Sequence, residues 1–386
     1  MAKPPPNAAS VPFSRASIVG RELEYLEQAV ASGKLSGGGT FTHRCQEWLQ
    51  ERVGGEAALL THSCTAALEM AVILAGVGPG DEVIMPSFTF VSTANCVALR
   101  GATPVFVDVR RDTLNIDETK IEQAITQRTK AVIAVHYGSV PADMDPIIEI
   151  ARRHQITVIE DAAQALLSTY KGRQAGSLGD LAAFSFHETK NLVSGEGGAL
   201  IINDPALVER AEIIWEKGTN RRNFSRGLVD KYTWVDLGSS FLPSELVAAF
   251  LLAQLEQAEL VNQQRVEVWN RYFEAFSPLA ESGQVVLPKV PQDVQHNGHL
   301  FHLIVDDAET RNELISYMRE RDITAPFHYV PLHDSPAGRR LSRVSGDLSW
   351  TSDVSVRLIR LPIYNDIGTA QDRVISAING FFQAAT

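Results

Sequence analysis

The chain of 386 residues is 45% hydrophobic and 21% charged, and its formal net charge is −11. This composition is typical of a globular protein with one large and one smaller domain, and the acidic balance without a strong basic block argues against a nucleic-acid-binding protein. No stretch contains the roughly 18 uncharged apolar residues of a membrane span, and residues 1–11 lack the apolar segment of a secretory signal. We therefore expect a cytoplasmic protein, with residues 1–12 as a flexible tail and three widely spaced cysteines that fit a reducing compartment.

Short apolar runs alternate with segments of helical periodicity between residues 20 and 260. Several runs are continuously apolar, which is the pattern of a parallel sheet covered on both faces. The alternation predicts a large α/β domain over residues 13–245. The predicted strands cover residues 82–85, 103–109, 130–136, 157–161, 181–187 and 198–203, and the clearest helices cover 66–74 and 146–154.

The pattern changes after about Pro243, where a long helical stretch over residues 244–276 begins. Two predicted strands and two predicted helices follow, so residues 246–386 are expected to form a connecting helix and a small α+β domain. His299 and His302 are three residues apart within a strand-like run, and we expect no metal site there. These strands cover residues 284–287 and 299–305, and the helices cover 311–321 and 370–382.

Ligands of open α/β sheets bind where the carboxyl ends of the strands meet, so polar residues at those ends are candidate site residues. The segment 61–65, Thr-His-Ser-Cys-Thr, directly precedes a predicted helix. It could simply cap that helix or could bind a phosphate at the helix N-terminus. The segment 86–90 carries two phenylalanines, which could be core residues or could cover a planar ring.

Two adjacent carboxylates, Glu160 and Asp161, end the predicted strand 157–161. A carboxylate at the end of a buried strand costs free energy unless it is paired. A structural salt bridge is one explanation, and a cationic ring nitrogen of a ligand is the other.

Lys190 follows a strand-like run in the segment "FSFHETKN". A lysine beyond a strand is usually solvated, but the glycine-rich residues 194–198 that follow indicate a tight return of the backbone beside a bulky group. An amine, an acid, hydroxyl groups and an aromatic ring at neighbouring strand ends together describe a binding site for pyridoxal phosphate, with Lys190 forming the imine.

Candidate contacts to a second ligand are more scattered. The glycine-rich segment 36–40, with Gly38 and Thr40, could approach a sugar or diphosphate or could be a linker. The densest cluster of basic residues could form a solvated loop or could bind a phosphorylated ligand. This cluster consists of Lys217, Arg221, Arg222 and Arg226. His328 and Tyr329 lie near a predicted strand end and could face the sugar.

The order of these motifs strongly resembles that of the DegT/DnrJ/EryC1/StrS family of sugar aminotransferases, over residues from about 12 to 382. The resemblance is carried by "SGKLSGGGTF", "GDEVIMPSFTFVSTAN", "VIEDAAQA", "GSLGDLAAFSFHETKN" and "GEGGAL". It implies the aspartate-aminotransferase fold (fold type I of pyridoxal-phosphate enzymes), with a large, mainly parallel sheet domain and a smaller C-terminal domain. It also implies a homodimer whose active sites are built from both chains.

The resemblance assigns a role to individual residues. Lys190 matches the catalytic Schiff-base lysine, Asp161 the acid that pairs with the pyridine nitrogen, and Gln164 the amide near the phenolic oxygen. The other implied cofactor ligands are Cys64, Thr65 and Ser185 for the phosphate, Phe88 for the ring face, and Ser240. Candidate substrate contacts are Gly38, Thr40, His187, Arg221, His328 and Tyr329.

Two of these positions depart from the family pattern. Cys64 stands where the family usually has glycine, which requires a negative φ at that residue. Ser240 stands where the family usually has an asparagine that reaches the phosphate across the dimer.

The implied reaction is transfer of an amino group from L-glutamate to C4 of a nucleotide-linked 4-keto-6-deoxy sugar. In the subgroup that this chain resembles, dTDP-4-dehydro-6-deoxy-D-glucose becomes dTDP-4-amino-4,6-dideoxy-D-galactose. The equatorial gluco amine and other keto-sugars are alternatives. Related sugar dehydratases carry histidine in place of the lysine, which Lys190 disfavours, and a regulatory protein that binds pyridoxal phosphate is the non-enzymatic alternative.

Overall fold

The computed structural model describes residues 10–384. Its helices are α1 (Glu22–Ala31), α2 (Thr40–Val53), α3 (Cys64–Leu74), α4 (Val91–Ala98), α5 (Ile121–Ala124), α6 (Met144–His154), α7 (Val208–Trp215), α8 (Arg221–Ser225), α9 (Glu245–Glu256), α10 (Ala258–Glu281), α11 (Ala308–Arg319), α12 (Pro336–Leu341), α13 (Ser349–Arg357) and α14 (Ala370–Ala384). Its strands are β1 (Ala57–Thr61), β2 (Glu82–Pro86), β3 (Thr103–Val107), β4 (Thr129–Val135), β5 (Thr157–Asp161), β6 (Thr169–Tyr170), β7 (Arg173–Gln174), β8 (Leu181–Ser185), β9 (Gly198–Ile202), β10 (Val294–Gln295), β11 (Phe301–Ile304), β12 (Arg343–Val344) and β13 (Leu358–Leu361). Among these helices none is both long and apolar enough to cross a membrane.

An eight-stranded sheet in the order β1-β9-β8-β5-β4-β2-β3-β12 forms the centre of the molecule. The neighbours from β8 through β12 pair in parallel, whereas β9 runs antiparallel to both β1 and β8. Two successive reversals restore the direction, so β1 runs the same way as β8. The carboxyl ends of β1, β2, β4, β5 and β8 therefore lie at one edge of the sheet, where open α/β folds bind ligands.

Apolar helices cover both faces of this sheet, which is why its strands are almost continuously buried. On one face α3 packs under Leu59, Leu181 and neighbouring sheet residues. On the other face α2 and α9 pack against Leu60, Ala182 and their neighbours. This layered α/β arrangement confirms the fold class expected from the sequence.

Residues beyond Gln257 build a second layer of structure around a two-stranded antiparallel sheet of β11 and β13. Helices α10, α11 and α14 enclose a core that includes Tyr272, Phe301 and Met318. Strand β12 from this part of the chain joins the large sheet beside β3. Val11, which the sequence placed in the tail, is only 1% exposed and pairs with Ile323; residues 1–9 of that tail lie outside the described range.

Several predicted elements differ from the structure. The helix predicted over 244–276 is two helices, because the backbone leaves the helical region at Gln257 (φ −108°, ψ 12°) between α9 and α10. Residues 284–287 form only an isolated bridge between Val286 and Ile304 instead of a strand. Strand β1 was not predicted, although it carries the segment that enters α3.

Glu160 is fully buried and anchors the end of β5. Its Oε1 accepts hydrogen bonds from the Leu178 and Gly179 amides at 2.7 Å each, and its Oε2 accepts from the Gly176 amide at 2.8 Å. The ring of His136 accepts from the Ala142 amide through Nδ1, so its Nε2 carries the proton and donates to Glu160 at 2.8 Å. Of the two carboxylates at this strand end, Glu160 is therefore the structural one.

Glu160→Gln should lower the free energy of unfolding by about 2–4 kcal/mol, because one amide NH₂ would have to face N–H donors in a buried site. The measurement is the urea midpoint of the cofactor-free protein. The matched control is Glu149→Gln on the exposed face of α6, which should leave the midpoint nearly unchanged. Equal midpoints for the two variants would contradict the anchoring role.

Candidate active site

A cavity of about 670 Å³ opens at the sheet edge where the five strand ends meet, against residues of the C-terminal part. It brings together most of the residues singled out from the sequence. Those that line it are Cys64, Thr65, Asp161, Gln164, Ser185, His187, Lys190, His328 and Tyr329.

The N-terminus of α3 supplies one end of the cavity. Ser63 caps this helix by accepting a hydrogen bond from the Ala66 amide at 3.1 Å, and Thr65 Oγ lies 2.7 Å from Ser92 Oγ. Cys64 is the first residue of α3 and does not have a positive φ. A side chain is therefore tolerated at this position, where the family usually has glycine. Free backbone N–H groups and hydroxyl groups at the start of a helix form a suitable binding site for a phosphate.

Gly198 explains why the backbone return after Lys190 is rich in glycine. A Cβ atom at this position would lie 2.4 Å from the backbone nitrogen of Cys64, so any other residue would push the start of α3 away. Gly195 has a φ of +80°, which glycine adopts without strain, and its carbonyl accepts from the Glu188 amide. The close contact between Gly198 and Cys64 thus keeps the segment that follows Lys190 beside the N-terminus of α3.

Asp161 lies on the opposite side of β5 from the environment of Glu160, since adjacent strand residues point to opposite faces. Its Oδ2 accepts a hydrogen bond from the hydroxyl of Thr93 at 2.7 Å, and that hydroxyl also contacts Thr89 at 2.9 Å. No lysine or arginine in the described range forms a salt bridge with Asp161, so its negative charge is available to a cationic group in the cavity.

Lys190 reaches the cavity from the turn that follows β8, where its amide donates to the carbonyl of His187. Burial lowers the pKa of its amine and Arg360 lowers it further, while Cys64 and Asp161 act in the opposite direction. The net direction favours the neutral, nucleophilic form of the amine.

An aromatic and amide wall closes the side of the cavity opposite α3. Gln164 accepts from the Gly138 amide at 2.8 Å and donates through Nε2 to the hydroxyl of Tyr329 at 2.9 Å. The rings of His328 and Tyr329 stack with centroids 3.7 Å apart, and His328 Nδ1 lies 2.7 Å from the hydroxyl of Tyr137. These contacts fix both predicted substrate residues as part of a rigid wall.

Phe88 does not line the cavity, which corrects its expected place against the ring of the ligand. It is 1% exposed and packs inside against Tyr137, Tyr329 and His328. Phe90, two residues later at the start of α4, is 57% exposed and lines the cavity. The aromatic residue positioned to cover a planar ligand is therefore Phe90.

A second cavity of about 810 Å³ contains three of the predicted residues, Gly38, Arg221 and Ser240. The basic residues noted in the sequence also line it, and Glu212 pairs with both Arg222 and Arg226 at 2.6 and 2.8 Å. Thr40, the first residue of α2, is exposed and lines neither cavity. Within one chain, the site residues predicted from the sequence are thus divided between the first and the second cavity.

The architecture places this chain among the fold type I pyridoxal-phosphate-dependent transferases. Residues 16–379 match the sequence model of the DegT/DnrJ/EryC1/StrS aminotransferase family. The chain belongs to this family, and it is accordingly a transaminase that depends on pyridoxal phosphate and acts in amino transfer to a keto-sugar.

Similar proteins cover the chain almost from end to end. The spore coat polysaccharide biosynthesis protein SpsC of Bacillus subtilis (strain 168) is 35% identical over 384 residues, which are 97% of this chain and 98% of that protein. The structure of DesV of S. venezuelae in complex with a ketimine intermediate superposes with a TM-score of 0.87 at 32% identity, covering 97% and 99% of the two chains. The pyridoxal-phosphate form of the putative sugar aminotransferase Spr1654 of Streptococcus pneumoniae gives 0.89 at 25% identity, covering 98% and 100%.

The residues of the first cavity fit pyridoxal phosphate by their chemistry. A nucleophilic amine (Lys190), a carboxylate with no cationic side-chain partner within residues 10–384 (Asp161) and an exposed ring (Phe90) match the aldehyde, the ring nitrogen and the ring face. The hydroxyls of Thr65 and Ser185, with the N-terminus of α3, match the phosphate.

Sequence reasoning missed several lining or supporting residues. Thr93 follows Thr89 by four residues, a helical spacing that could have indicated the hydroxyl pair beside Asp161. Phe90 was indistinguishable from Phe88 because both occur in one short aromatic segment. Arg265, His299 and Arg360 also line the cavity, and they come from elements far along the chain that carry no local motif.

Because the pKa of Lys190 is lowered, its amine loses its proton at a lower pH than an ordinary lysine, whose pKa is about 10.4. The rate at which the cofactor-free protein captures pyridoxal phosphate, followed by absorbance, should rise through a midpoint below that value. Nα-acetyl-lysine under the same conditions is the reference amine. A midpoint equal to or above that of the reference would contradict the effect of burial.

Proposed function

We propose that this protein transfers the amino group of L-glutamate to C4 of a nucleotide-linked 4-keto-6-deoxy sugar. Membership of the sugar aminotransferase family supports the reaction class. The observation that carries the assignment to this cavity is the convergence of Lys190, Asp161 and the N-terminus of α3 around one space. The nucleotide sugar we propose is dTDP-4-dehydro-6-deoxy-D-glucose, with the axial galacto amine as the product.

Lys190 is the residue that moves protons in this reaction. Its amine would take the proton from the donor's α-carbon as a general base and, as a general acid, would give it to the aldehyde-derived carbon of the cofactor. In the second half of the cycle it would take a proton from that carbon and give it to C4 of the sugar. The lowered pKa of Lys190 supports this role because a general base must be neutral at the pH at which it acts.

Asp161 would pair with the ring nitrogen of the cofactor and keep it protonated, and the hydrogen bond from Thr93 fixes the orientation of the carboxylate. When bound, pyridoxal phosphate supplies an electron sink for the negative charge that develops at the donor's α-carbon. Phe90 would cover one face of the ring, while Thr65, Ser185 and the backbone of α3 would bind the phosphate.

The sugar lies on the side of the cavity that His187, His328 and Tyr329 line. The stacked pair His328–Tyr329 is fixed by hydrogen bonds to Tyr137 and Gln164, so it presents one rigid surface to the sugar ring. A rigid surface decides which face of C4 meets Lys190, and that face decides whether the new amine is axial or equatorial.

We further propose that the active form is a homodimer in which the second cavity of one protomer completes the first cavity of the other. The segment between Arg226 and Ser240, two residues that line this second cavity, exposes the apolar side chains of Leu228 (68%) and Trp234 (79%). Apolar side chains exposed in one segment are typical of a surface that a partner covers. In the dimer, Ser240 would reach the cofactor phosphate, and Arg221 and Gly38 would reach the nucleotide diphosphate.

The proposed reaction is tested by incubating the cofactor-loaded protein with L-glutamate and dTDP-4-dehydro-6-deoxy-D-glucose. We expect 2-oxoglutarate and the 4-amino sugar in equal amounts, with the configuration at C4 assigned by NMR coupling constants. Lys190→Ala should reduce turnover to background, because no other lysine lines the cavity among the described residues.

The matched control is Lys120→Ala, a lysine outside both cavities that should keep full activity. Full activity in Lys190→Ala would contradict the catalytic role of Lys190. An equatorial amine would contradict the proposed stereochemistry but not the reaction class.

The shared site is tested by complementation between two inactive chains. Lys190→Ala removes the amine, and Arg221→Glu reverses a charge in the second cavity. When the two chains are mixed and allowed to exchange subunits, a heterodimer has one intact site, so about one quarter of the wild-type activity should return.

Activity that stays at background in the mixture, with dimer formation confirmed by light scattering, would mean that each site is built from one chain. Full activity of the Arg221→Glu homodimer would mean that the second cavity takes no part in substrate binding.

A further inference from the structure

Glu245, the first residue of α9, is a buried carboxylate that the reaction described above does not use. Its side chain belongs to a residue that is 2% exposed, and no lysine, arginine or histidine within residues 10–384 forms a salt bridge with it. A carboxylate taken out of water without a cation costs free energy unless N–H or O–H groups bond to its oxygens. The groups that bond to Glu245 therefore indicate what the residue does.

The partners of Glu245 all lie at the start of α2, far earlier in the sequence. Its Oε1 accepts hydrogen bonds from the Gly39 amide at 3.0 Å and the Thr42 amide at 3.1 Å, and its Oε2 accepts from the Phe41 amide at 2.9 Å. The N-cap residue of α2 is Gly39, which has no side chain to cap the helix, and the first turn of α2 contains no acidic residue. Glu245 thus supplies from α9 the N-terminal cap that α2 lacks.

The backbone joins the same two segments. The Glu245 amide donates to the carbonyl of Leu35 at 3.0 Å. The carboxylate of Glu245 is also close to two helix N-termini, that of α9 to which it belongs and that of α2 which it caps. The partial positive charge of both N-termini compensates its negative charge, so the bonded pair of segments is stable without a cation.

These bonds hold the glycine-rich segment 36–39 directly against residues 242–245. A Cβ atom at Gly37 would lie 2.2 Å from the carbonyl oxygen of Pro243, and one at Gly39 would lie 2.5 Å from the carboxyl group of Glu245. Since neither position has room for a side chain, the glycines allow close packing of the two segments. The segment 36–39 is therefore a packed part of the structure, and its distance from residues 242–245 is fixed.

Both segments line the second cavity. Ser36, Gly37 and Gly38 lie on its wall beside Leu242 and Pro243, and Arg221 and other basic side chains line the same space. The amides of Ser36 and Gly37 donate to no atom of residues 10–384, so they are available to a ligand. Two consecutive free amides beside basic side chains suit the oxygens of a diphosphate.

One hydroxyl group connects Glu245 to the cavity wall. Thr42 Oγ donates to Glu245 Oε1, and the same oxygen accepts from the Gly38 amide at 3.3 Å. The carbonyl of Gly38 accepts from Lys34 Nζ at 2.8 Å. A change at Glu245 therefore reaches the wall of the cavity through the Thr42 hydroxyl as well as through the Gly39 amide.

We propose that Glu245 is a positioning residue for the nucleotide sugar, because it holds segment 36–39 where the Ser36 and Gly37 amides can bind the diphosphate. This inference rests on the proposed function, in which the second cavity of one protomer receives the diphosphate of the ligand bound in its partner. Glu245 acts through this segment and does not touch the ligand, since it does not line the cavity and the start of α2 fills both of its oxygens.

The first test is Glu245→Gln, which keeps the size of the side chain but turns an N–H group toward the amides of α2. Calorimetric titration of the cofactor-loaded protein with dTDP should show binding about 10-fold weaker than in the wild type, as expected when the loss of charged hydrogen bonds displaces a ligand-binding segment. An unchanged affinity for dTDP would overturn the proposal.

Steady-state kinetics separate a positioning role from a catalytic one. In Glu245→Gln the KM for the keto-sugar should rise by about the same 10-fold and kcat should stay within about twofold, because the diphosphate contacts are equal in the ground state and the transition state. Conversion of the pyridoxal-phosphate form by L-glutamate, followed by stopped-flow absorbance, should also stay within about twofold, because glutamate has no diphosphate. A loss confined to kcat or to the glutamate reaction would contradict the proposal.

Inorganic pyrophosphate identifies the part of the nucleotide that the segment contacts. Its affinity, measured by displacement of dTDP, should fall in Glu245→Gln by the same factor as that of dTDP. If pyrophosphate binds equally to the variant and the wild type while dTDP binds more weakly to the variant, the segment contacts the base or the ribose and the proposal is wrong. A wild type that does not bind dTDP contradicts the proposed function itself.

The matched control is Glu256→Gln at the other end of α9. The carboxylate of Glu256 accepts from the Tyr25 hydroxyl at 2.8 Å and from Arg44 at 3.0 Å, so it also joins α9 to α1 and α2, but it lies outside the second cavity. This variant should lower the urea midpoint and bind dTDP like the wild type. If Glu245→Gln behaves in the same way, Glu245 has only a structural role.

Thr42→Val keeps the question open to a decision if Glu245→Gln is misfolded by circular dichroism or monomeric by light scattering. This substitution removes the hydroxyl between Glu245 and the Gly38 amide but leaves the backbone bonds of Gly39 and Phe41 to the carboxylate. We expect dTDP and pyrophosphate to bind about threefold more weakly, as for the loss of one neutral hydrogen bond. Affinities equal to those of the wild type would overturn the proposal.

Discussion

The direction of the strands in the eight-stranded sheet decides where chemistry can occur in this protein. Ser63, Asp161 and Lys190 are far apart in the sequence, and they meet because β1, β5 and β8 run the same way. The strand β9 lies between β1 and β8 and runs antiparallel to both, so β1 and β8 point in the same direction. Gly198 at the start of β9 also lets the backbone approach the N-terminus of α3.

Burial gives neighbouring residues at this edge different roles. Glu160 and Asp161 are adjacent, yet Glu160 is enclosed by three backbone amides and His136, whereas Asp161 accepts from one hydroxyl and, at 3.3 Å, from the Ala163 amide, and it lines the cavity. A carboxylate whose hydrogen-bonding capacity is filled stabilises the strand end, and one that is partly free can act on a ligand. The same contrast separates Arg357, which pairs with Asp353, from Arg360, which has no acidic partner in the part of the chain that the structure describes.

Electrostatics connects the fold to the proposed transfer. The cavity holds an amine with a lowered pKa and two arginines that form no salt bridge within residues 10–384, so it favours anionic ligands near these groups. A phosphate would bind at the N-terminus of α3, where the helix dipole adds to the positive potential. The second cavity carries its own basic residues, partly neutralised by Glu212 and Glu216.

The sequence by itself determined the α/β class, most strand positions and the lysine, aspartate and hydroxyl residues of the cavity, because apolar periodicity and strand-end polarity are local properties. Strand β5 was predicted with its observed bounds. Only the tertiary structure decided that Phe90 rather than Phe88 faces the cavity, that Glu160 is structural, and that Gly38, Arg221 and Ser240 lie in a different cavity from Lys190. The tertiary structure also showed that Arg265 of α10 and Arg360 of β13 line the cavity. The sequence did not predict this, because the packing of segments distant in sequence leaves no periodic signal along the chain.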